Sequence, residues 1–180
     1  IRYLVLTHHH MDHTGGVRTF VAEGAKLIVP SGDKAYFEKD LRAPHTVVAD
    51  DLQRKPRPTE IIELKDQMTL KDEVSEIHLY NVPNPHVQTM MLGHVVTGNV
   101  LYVTDLISPR GPIERSPATV AVGEVLRKYG ITGATTRNAW RGWSGGSPTA
   151  AWSSFSPPRS LPGARSARTG FPRGGSWSRL

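Results

Sequence analysis

Residues 7–16 read THHHMDHTGG and contain the spaced motif H-x-H-x-D-H. The segment follows an apolar, strand-like run at residues 3–6 and ends in a Gly pair that can open a helix. At ordinary residue frequencies, the four fixed positions of the motif arise by chance in a chain of this length roughly once in ten thousand times. A purification tag or a surface run of histidines would lack the embedded Asp, the strand and the Gly pair. The segment therefore predicts a strand–loop–helix unit whose loop binds metal.

The side chains of this motif fall into two groups. Because alternate side chains of an extended segment point the same way, His8 and His10 can bind one ion. Asp12 and His13 are displaced by the turn and face a neighbouring position. Neutral imidazoles and a carboxylate suit zinc, iron or manganese better than calcium or magnesium. His9 points away from the ligand positions, so we expect it to pack or to form a hydrogen bond.

Composition narrows both the class of protein and the chemistry of the site. A chain of 180 residues with 38% apolar content can form one domain with a substantial core. It contains no Cys, so every transition-metal ligand must be a His, Asp or Glu and no disulfide can form. No apolar run approaches the roughly 18 residues that a membrane span needs, and no signal segment opens the chain.

The net charge of +6 is unevenly distributed along the chain. All 16 acidic residues lie at or before Glu124, whereas residues 131–180 contain seven Arg and no Lys, Asp or Glu. Residues 1–130 therefore hold 15 basic against 16 acidic residues, a net charge of −1. Because a basic surface is the electrostatic signature of nucleic-acid binding, we expect no nucleic-acid partner for this part of the chain.

Residues 1–131 alternate strand and helix signals and are predicted to form one domain. Ser116 and Pro117 can cap and start a helix, which Gly130 ends. A polar segment with several prolines, between Leu41 and Glu60, connects the strand–helix units to the strands that follow. Strands are predicted at residues 1–7, 26–29, 60–64, 67–70, 76–82, 89–96 and 100–103, and helices from Val17 to Gly24, from the N-cap Ser31 to Leu41, and from Ser116 to Gly130.

The composition changes abruptly after Ile131. Residues 132–180 are rich in Arg, Ser, Gly and Pro, contain all four Trp residues and show no apolar periodicity. Such a segment cannot bury enough surface to offset its chain entropy, which predicts disorder. Arg without Lys, with scattered Trp, is also typical of a GC-rich gene translated out of frame, and we expect a frameshift near residues 132–137. A basic tail that binds nucleic acid or membrane is the alternative.

The segment THHHMDHTGG resembles the signature loop of the metallo-β-lactamase superfamily. Two later segments, PNPHVQTMML at residues 83–92 and NVLYVTDL at residues 99–106, are similar to further motifs of that family. The resemblance covers residues 1–131 and implies an α+β fold, an αββα sandwich with two metal ions, usually zinc, between two sheets. It also implies the ligands: His8, His10 and His86 for the first ion, and Asp12, His13 and the bridging Asp105 for the second.

The resemblance further implies a function. A hydroxide activated by the two ions would attack an ester, thioester, lactone or related bond of a small-molecule substrate, with Asp12 orienting it or accepting its proton.

The remaining histidines, His45, His78 and His94, are predicted to be structural or exposed.

The chain also departs from the family pattern. The family has a β-rich half before the signature loop and a final His-Gly after the last helix, but no His follows His94 here. The sequence therefore predicts an incomplete fold. It leaves three possibilities open: a metallohydrolase, a catalytically impaired metal-binding remnant of such an enzyme, and a nucleic-acid-processing relative. Only the charge of residues 131–180 favours the third, and the net charge of −1 over residues 1–130 disfavours it.

Overall fold

A computed structural model describes residues 1–108 and 113–137 of the chain. None of its helices is long and apolar enough to cross a membrane. The strands are β1 (Tyr3–Val5), β2 (Lys26–Pro30), β3 (Ile61–Leu64), β4 (Gln67–Lys71), β5 (Glu76–Asn81), β6 (Met91–Val95), β7 (Val100–Tyr102) and β8 (Thr135–Arg137). The helices are α1 (Met11–Thr14), α2 (Val17–Ala22), α3 (Lys34–Arg42), α4 (Asp51–Arg54) and α5 (Pro117–Lys128).

The strands form two sheets of different type. The first sheet has the order β1-β2-β3 and is parallel throughout, with Leu4 opposite Leu27 and Leu27 opposite Ile61. Parallel neighbours need a crossover connection, which α1 and α2 supply before β2 and α3 and α4 supply before β3. The second sheet has the order β4-β5-β6-β7-β8 and is antiparallel up to β7, with β8 parallel to β7.

The two sheets pack face to face through a shared apolar cluster. Ile28 and Leu64 of the first sheet meet Leu79 and Met91 of the second, and all four are buried. Residues of β2 alternate between this cluster and the opposite face of the sheet, since Leu27 belongs to a different cluster. A strand buried on both faces is typical of a parallel sheet covered by helices.

Helices cover the outer face of each sheet. Phe37 of α3 and Leu52 of α4 pack in the cluster outside the first sheet. Val122 and Leu126 of α5 pack with Leu101 in the cluster outside the second sheet. The layers therefore run helix, sheet, sheet, helix, which confirms the predicted α+β, αββα class.

The periodic elements of the sequence are confirmed to within a few residues at their ends, and Ser116 caps α5 through its hydroxyl, which accepts from Thr119 N. The start of α3 differs from the prediction. Asp33 rather than Ser31 is the residue before the helix, because the chain first turns through Gly32, whose φ is +99°. The sequence patterns missed α1, α4 and β8, each of which has only three or four residues, too few to show a period.

The prediction that residues 132–137 lack folded structure was wrong. Strand β8 pairs with β7, and the Thr135 amide donates to the carbonyl of Asn99 at 2.9 Å. Ala134 is buried in the cluster beneath α5. The pairing depends on an open sheet edge far away in the sequence, which local composition does not report. The predicted disorder or frameshift of residues 138–180 lies outside the described residues.

Candidate metal centre

Segments from both sheets meet at the predicted metal site. The histidine-rich loop and α1 follow β1 of the first sheet, and the segments that carry His86 and Asp105 follow β5 and β7 of the second. A backbone hydrogen bond next to the site joins the two sheets: the Met91 amide donates to the carbonyl of Thr7 at 2.9 Å. The site therefore lies at the seam between the two sheets.

One carboxylate oxygen lies at the middle of the site. Oδ2 of Asp105 lies 2.9 Å from Nε2 of His13, 3.3 Å from Nε2 of His8 and 3.5 Å from Nε2 of His86. These three imidazoles come from two segments more than 70 residues apart in the sequence. The arrangement brings together the donor types that transition metals prefer.

The donor atoms form two overlapping groups. His8, His10 and His86 each offer one ligand atom, and these atoms lie within 4.8 Å of one another. His8, His13 and Asp105 meet the same criterion. His8 is thus common to both groups.

Two buried imidazole nitrogens of the site lack hydrogen-bond partners and could instead bind a cation. Nε2 of His8 and of His13 is buried without a hydrogen-bond partner in the described part of the chain, since the contacts to Asp105 lack hydrogen-bond geometry. Leaving a buried polar atom unsatisfied costs about 1–3 kcal/mol. A cation shared with the carboxylate of Asp105 would satisfy both nitrogens, so these residues are suited to hold a metal ion.

The electrostatics of His8 favour the neutral imidazole. Burial, followed by the neighbouring His13, lowers the pKa of His8 to about 4, against a smaller opposing effect of Asp105. A histidine binds metal as the neutral imidazole, and the lowered pKa keeps His8 in that form at neutral pH.

Two buried hydroxyls orient the His8 ring. Nδ1 of His8 lies 3.2 Å from Oγ1 of Thr7, and the Thr104 hydroxyl donates to the same oxygen at 3.2 Å. Thr7 lies two residues after β1 and Thr104 lies two residues after β7, so one hydroxyl follows a strand of each sheet. When Nδ1 donates to Thr7, the lone pair of Nε2 faces the site, which is the usual way in which an outer hydrogen bond sets the tautomer of a ligating histidine.

The backbone at Asp105 adopts an uncommon conformation. Its φ is +55°, in the left-handed region, and the Leu106 amide donates across it to the carbonyl of Thr104 at 2.5 Å. A three-residue turn with positive φ is rare and strained. This turn places the carboxylate of Asp105 beside His8, His13 and His86, so the strained backbone lies at the candidate site itself.

The sequence of this chain matches a known protein family. The model for the metallo-beta-lactamase superfamily matches residues 1–154 of the chain. The chain belongs to the metallo-β-lactamase superfamily. The match extends past residue 131, where the resemblance seen in the sequence ended. No curated protein sequence matches the chain significantly.

Solved structures of this superfamily share the fold at low sequence identity. A metallo-beta-lactamase from Pontibacter korlensis is 11% identical, has a TM-score of 0.53, and is matched over 77% of this chain and 60% of its own. The DIM-1 metallo-beta-lactamase is 11% identical with a TM-score of 0.51, over 74% of this chain and 57% of its own. The rubredoxin oxygen:oxidoreductase of Desulfovibrio gigas is 17% identical with a TM-score of 0.52, over 77% of this chain and 38% of its own.

These likenesses establish the metallo-β-lactamase fold and nothing finer. The chain spans about 60% of the length of the Pontibacter structure. One neighbour is named as a lactamase and another as an oxidoreductase, so the shared fold does not specify a reaction.

The structure brings together five of the six residues that the sequence predicted as ligands: His8, His10, His13, His86 and Asp105. Asp12 is not among them. Its side chain is 68% exposed, and its Oδ2 lies 3.4 Å from Nε2 of His13. The assignment of all six residues as ligands stays a prediction.

The other histidines lie where their sequence context indicated. His9 turns away from the centre, and its Nδ1 lies 3.2 Å from Oδ1 of Asp33. His78 contacts Glu76 on the same strand, while Nε2 of the buried His94 lies 2.8 Å from Oδ1 of Asn99.

Sequence reasoning missed the residues that surround the ligands, namely Thr7, Thr104 and Asp33. Thr7 and Thr104 each stand next to a predicted ligand, so their position was a usable signal. Asp33 follows the end of β2, which runs parallel to β1. Because the carboxyl ends of parallel strands share one edge of a sheet, a polar residue there was also a candidate.

Proposed function

We propose that this chain carries the centre of a metal-dependent hydrolase that acts on an ester, thioester, lactone or related bond of a small molecule. The observation that carries the proposal is the single oxygen of Asp105 facing the imidazoles of His8, His13 and His86. Superfamily membership supports the hydrolase class, because many metallo-β-lactamase-fold proteins are hydrolases.

In this proposal His8, His10 and His86 would hold the first ion, and Asp12, His13 and Asp105 would hold the second. Three neutral imidazoles suit zinc, and iron or manganese are the alternatives that metal analysis would distinguish. When bound, such ions lower the pKa of water from 15.7 towards about 7 and polarise the oxygen of the bond to be cleaved.

The chain's own residues have distinct tasks in this scheme. Thr7 and Thr104 hold the His8 ring, and the low pKa of His8 keeps that ring available as a ligand at neutral pH. Asp12 is exposed beside His13 and is proposed to orient the attacking water and to accept its proton.

The proposal is tested by hydrolysis assays on the full chain loaded with zinc, iron or manganese. The substrates are a chromogenic ester, a thioester and a lactone, and the variants are His86→Ala and the control His45→Ala. His45 contacts Asp50, outside the metal groups. We expect metal-dependent turnover that His86→Ala abolishes and His45→Ala retains. A fully metal-loaded chain without turnover on any of the three substrates contradicts the proposal.

The second candidate is a catalytically impaired metal-binding protein. It is favoured by the sequence, which has no His after His94 to serve as the family's final ligand. We then expect one tightly held ion at His8, His10 and His86, because three imidazoles suffice for a stable zinc site, and weak binding of a second. Native mass spectrometry that shows two tightly held ions would contradict this candidate.

A further inference from the structure

Asp33 is a buried carboxylate that belongs to neither group of metal donors. Only 6% of the residue is exposed, and it lies between β2 and α3. We infer that Asp33 is a positioning residue that connects the two loops carrying the predicted ligands of the first metal ion. The inference rests on the proposed metal site.

The contacts of Asp33 reach both of these loops. Its Oδ1 lies 3.2 Å from Nδ1 of His9 and accepts a hydrogen bond from Oγ1 of Thr89 at 2.8 Å. His9 stands between the two ligands His8 and His10 in the chain, and Thr89 lies three residues after His86. A single oxygen thus joins the histidine-rich loop to the His86 loop.

The backbone on both sides of Asp33 is held by the core. Phe37 of α3 is fully buried in the core outside the first sheet. The Ser31 amide donates to the carbonyl of Leu64 at 2.9 Å, which ties the turn before Asp33 to β3. Tyr36 of α3 packs its ring 5.3 Å from that of His9. Asp33 is therefore held by rigid elements while its carboxylate contacts two loops.

The local structure does not explain why an acid stands at this position. An Asp before a helix ordinarily accepts a hydrogen bond from an amide of the first turn, but Asp33 makes no such cap to α3. Its Oδ2 is buried and has no hydrogen-bond partner within residues 1–108 and 113–137. An unsatisfied buried carboxylate oxygen reduces stability. A residue that caps nothing and reduces stability fits a role in the site better than a role in the fold.

The inference predicts a change in metal affinity. Without the carboxylate, His9 and Thr89 lose their common partner, so the spacing of the imidazoles on the two loops is no longer preorganised. Loss of an outer partner of a metal site typically weakens metal binding by about 10- to 100-fold. Asp33 contacts neighbours of the predicted ligands rather than the ligands themselves, so we expect Asp33→Ala to weaken zinc binding by about 10-fold, the lower end of that range. Asp33→Asn should weaken it less because its amide oxygen can still accept from Thr89.

The experiment measures the zinc dissociation constant of the full chain by competition with a chromophoric chelator. Each value is corrected for the folded fraction, determined by circular dichroism. Asp66→Ala is the control, since Asp66 is an exposed carboxylate in the turn before β4 that also accepts two hydrogen bonds, from Lys128 and Tyr129, and lies outside the metal donor groups. We expect the zinc dissociation constant of Asp66→Ala to equal that of the wild type.

Variants in the partners keep the test decisive if Asp33→Ala fails to fold. Thr89→Val preserves the side-chain shape and removes one contact of Asp33, and His9→Phe removes the other. Each should weaken zinc binding by a smaller factor than Asp33→Ala. Equal zinc affinity in the wild type and in all folded variants overturns the inference alone. A wild-type chain that binds no zinc overturns the proposed function and the inference with it.

Discussion

Asp105 combines an unfavourable backbone conformation with contacts to three imidazoles. Non-glycine residues with positive φ are uncommon, although Asp tolerates this region better than most, and such residues concentrate at functional sites. Its side chain is 23% exposed, contacts His8, His13 and His86, and has no Lys or Arg partner among the described residues. A partly buried carboxylate without a cationic partner is costly, so a metal ion is its natural counter-charge.

We predict that Asp105→Ala impairs metal binding and hydrolysis far more than His78→Ala does. Losing an outer partner already lowers metal affinity about 10- to 100-fold, and loss of the central carboxylate should exceed that. His78 contacts Glu76 and Tyr80 outside the metal groups, so its loss should cost only about 1 kcal/mol of stability. The measurements are zinc content by mass spectrometry and ester hydrolysis at equal folded fraction. Equal rates with unchanged metal content in Asp105→Ala would show that Asp105 is not a ligand.

Among the elements, α2, α3 and α4 are joined by one buried guanidinium. Arg18 of α2 donates through Nε and Nη2 to both oxygens of Asp50, the N-cap of α4. Its Nη1 donates to the carbonyls of Asp40 and Leu41 at the end of α3. A bidentate pair of this kind fixes the helices outside the first sheet, on the element that follows the histidine-rich loop.

Acid should weaken this junction. The Arg18 guanidinium holds the pKa of the Asp50 carboxyl far below its ordinary value, so the ion pair stabilises the fold fully above about pH 4, the unfolded-state pKa. As the pH falls below that value, the unfolded state takes up a proton that the folded state does not, and stability is lost. We predict that Asp50→Asn lowers stability at neutral pH and flattens the decline of the unfolding free energy in acid, measured by urea denaturation.

The control for this prediction is the partner variant. In an Arg18→Met background the Asp50 carboxyl keeps only the Gln53 amide and His45 as partners, so adding Asp50→Asn should change the acid dependence much less than it does in the wild type. An equally steep acid decline in the wild type and in Asp50→Asn would mean that other groups dominate acid unfolding.

Asn99, in the hairpin before β7, contacts both β6 and the segment that leads into β8. Asn99 has a φ of +49°, its side-chain amide donates to the carbonyl of Thr132 at 2.9 Å, and its Oδ1 lies 2.8 Å from Nε2 of His94. Its own carbonyl accepts from Thr135. The turn residue therefore connects β6, β7 and β8.

We predict that Asn99→Ala destabilises the chain by about 1–3 kcal/mol, from strain at positive φ and from the two lost side-chain contacts. Hydrogen exchange at the Thr135 amide should accelerate in this variant. Asn99→Gly separates the two causes, because Gly adopts positive φ without strain and should recover part of the loss. Unchanged exchange at Thr135 in both variants would show that Asn99 does not hold β8.

At the scale of the whole molecule, the candidate metal centre lies between two sheets that also meet through an apolar cluster and through hydrogen bonds such as that from the Met91 amide to the Thr7 carbonyl. The predicted ligands after β1 belong to the first sheet, and those after β5 and β7 belong to the second. An ion bound only by the folded arrangement stabilises it by mass action. Metal binding and the packing of the two sheets should therefore be coupled.

We predict that zinc raises the thermal midpoint of the chain and that a chelator reverses the rise. Free zinc at 100 times its dissociation constant should add about 2.7 kcal/mol to the free energy of unfolding. Differential scanning calorimetry with and without zinc measures the shift, and His8→Ala is the control, since His8 belongs to both donor groups. A zinc-dependent rise of the same size in His8→Ala would place the stabilising ion elsewhere.

The sequence alone determined the periodic elements and the local half of the site. His8, His10 and His13 share one loop, so their spacing predicts their proximity without any knowledge of the fold. His86 and Asp105 entered only through the resemblance to the metallo-β-lactamase superfamily, because no periodic signal relates them to that loop.

Only the tertiary structure decided what happens where distant segments meet. It placed Asp105 between imidazoles of two loops, left Asp12 exposed, connected Asp33 to His9 and Thr89, and paired Thr135 with the edge of β7. Local patterns report backbone periodicity and capping, which depend on neighbours within one or two turns. Contacts across the seam depend on how two sheets pack, and that packing is a property of the assembled core.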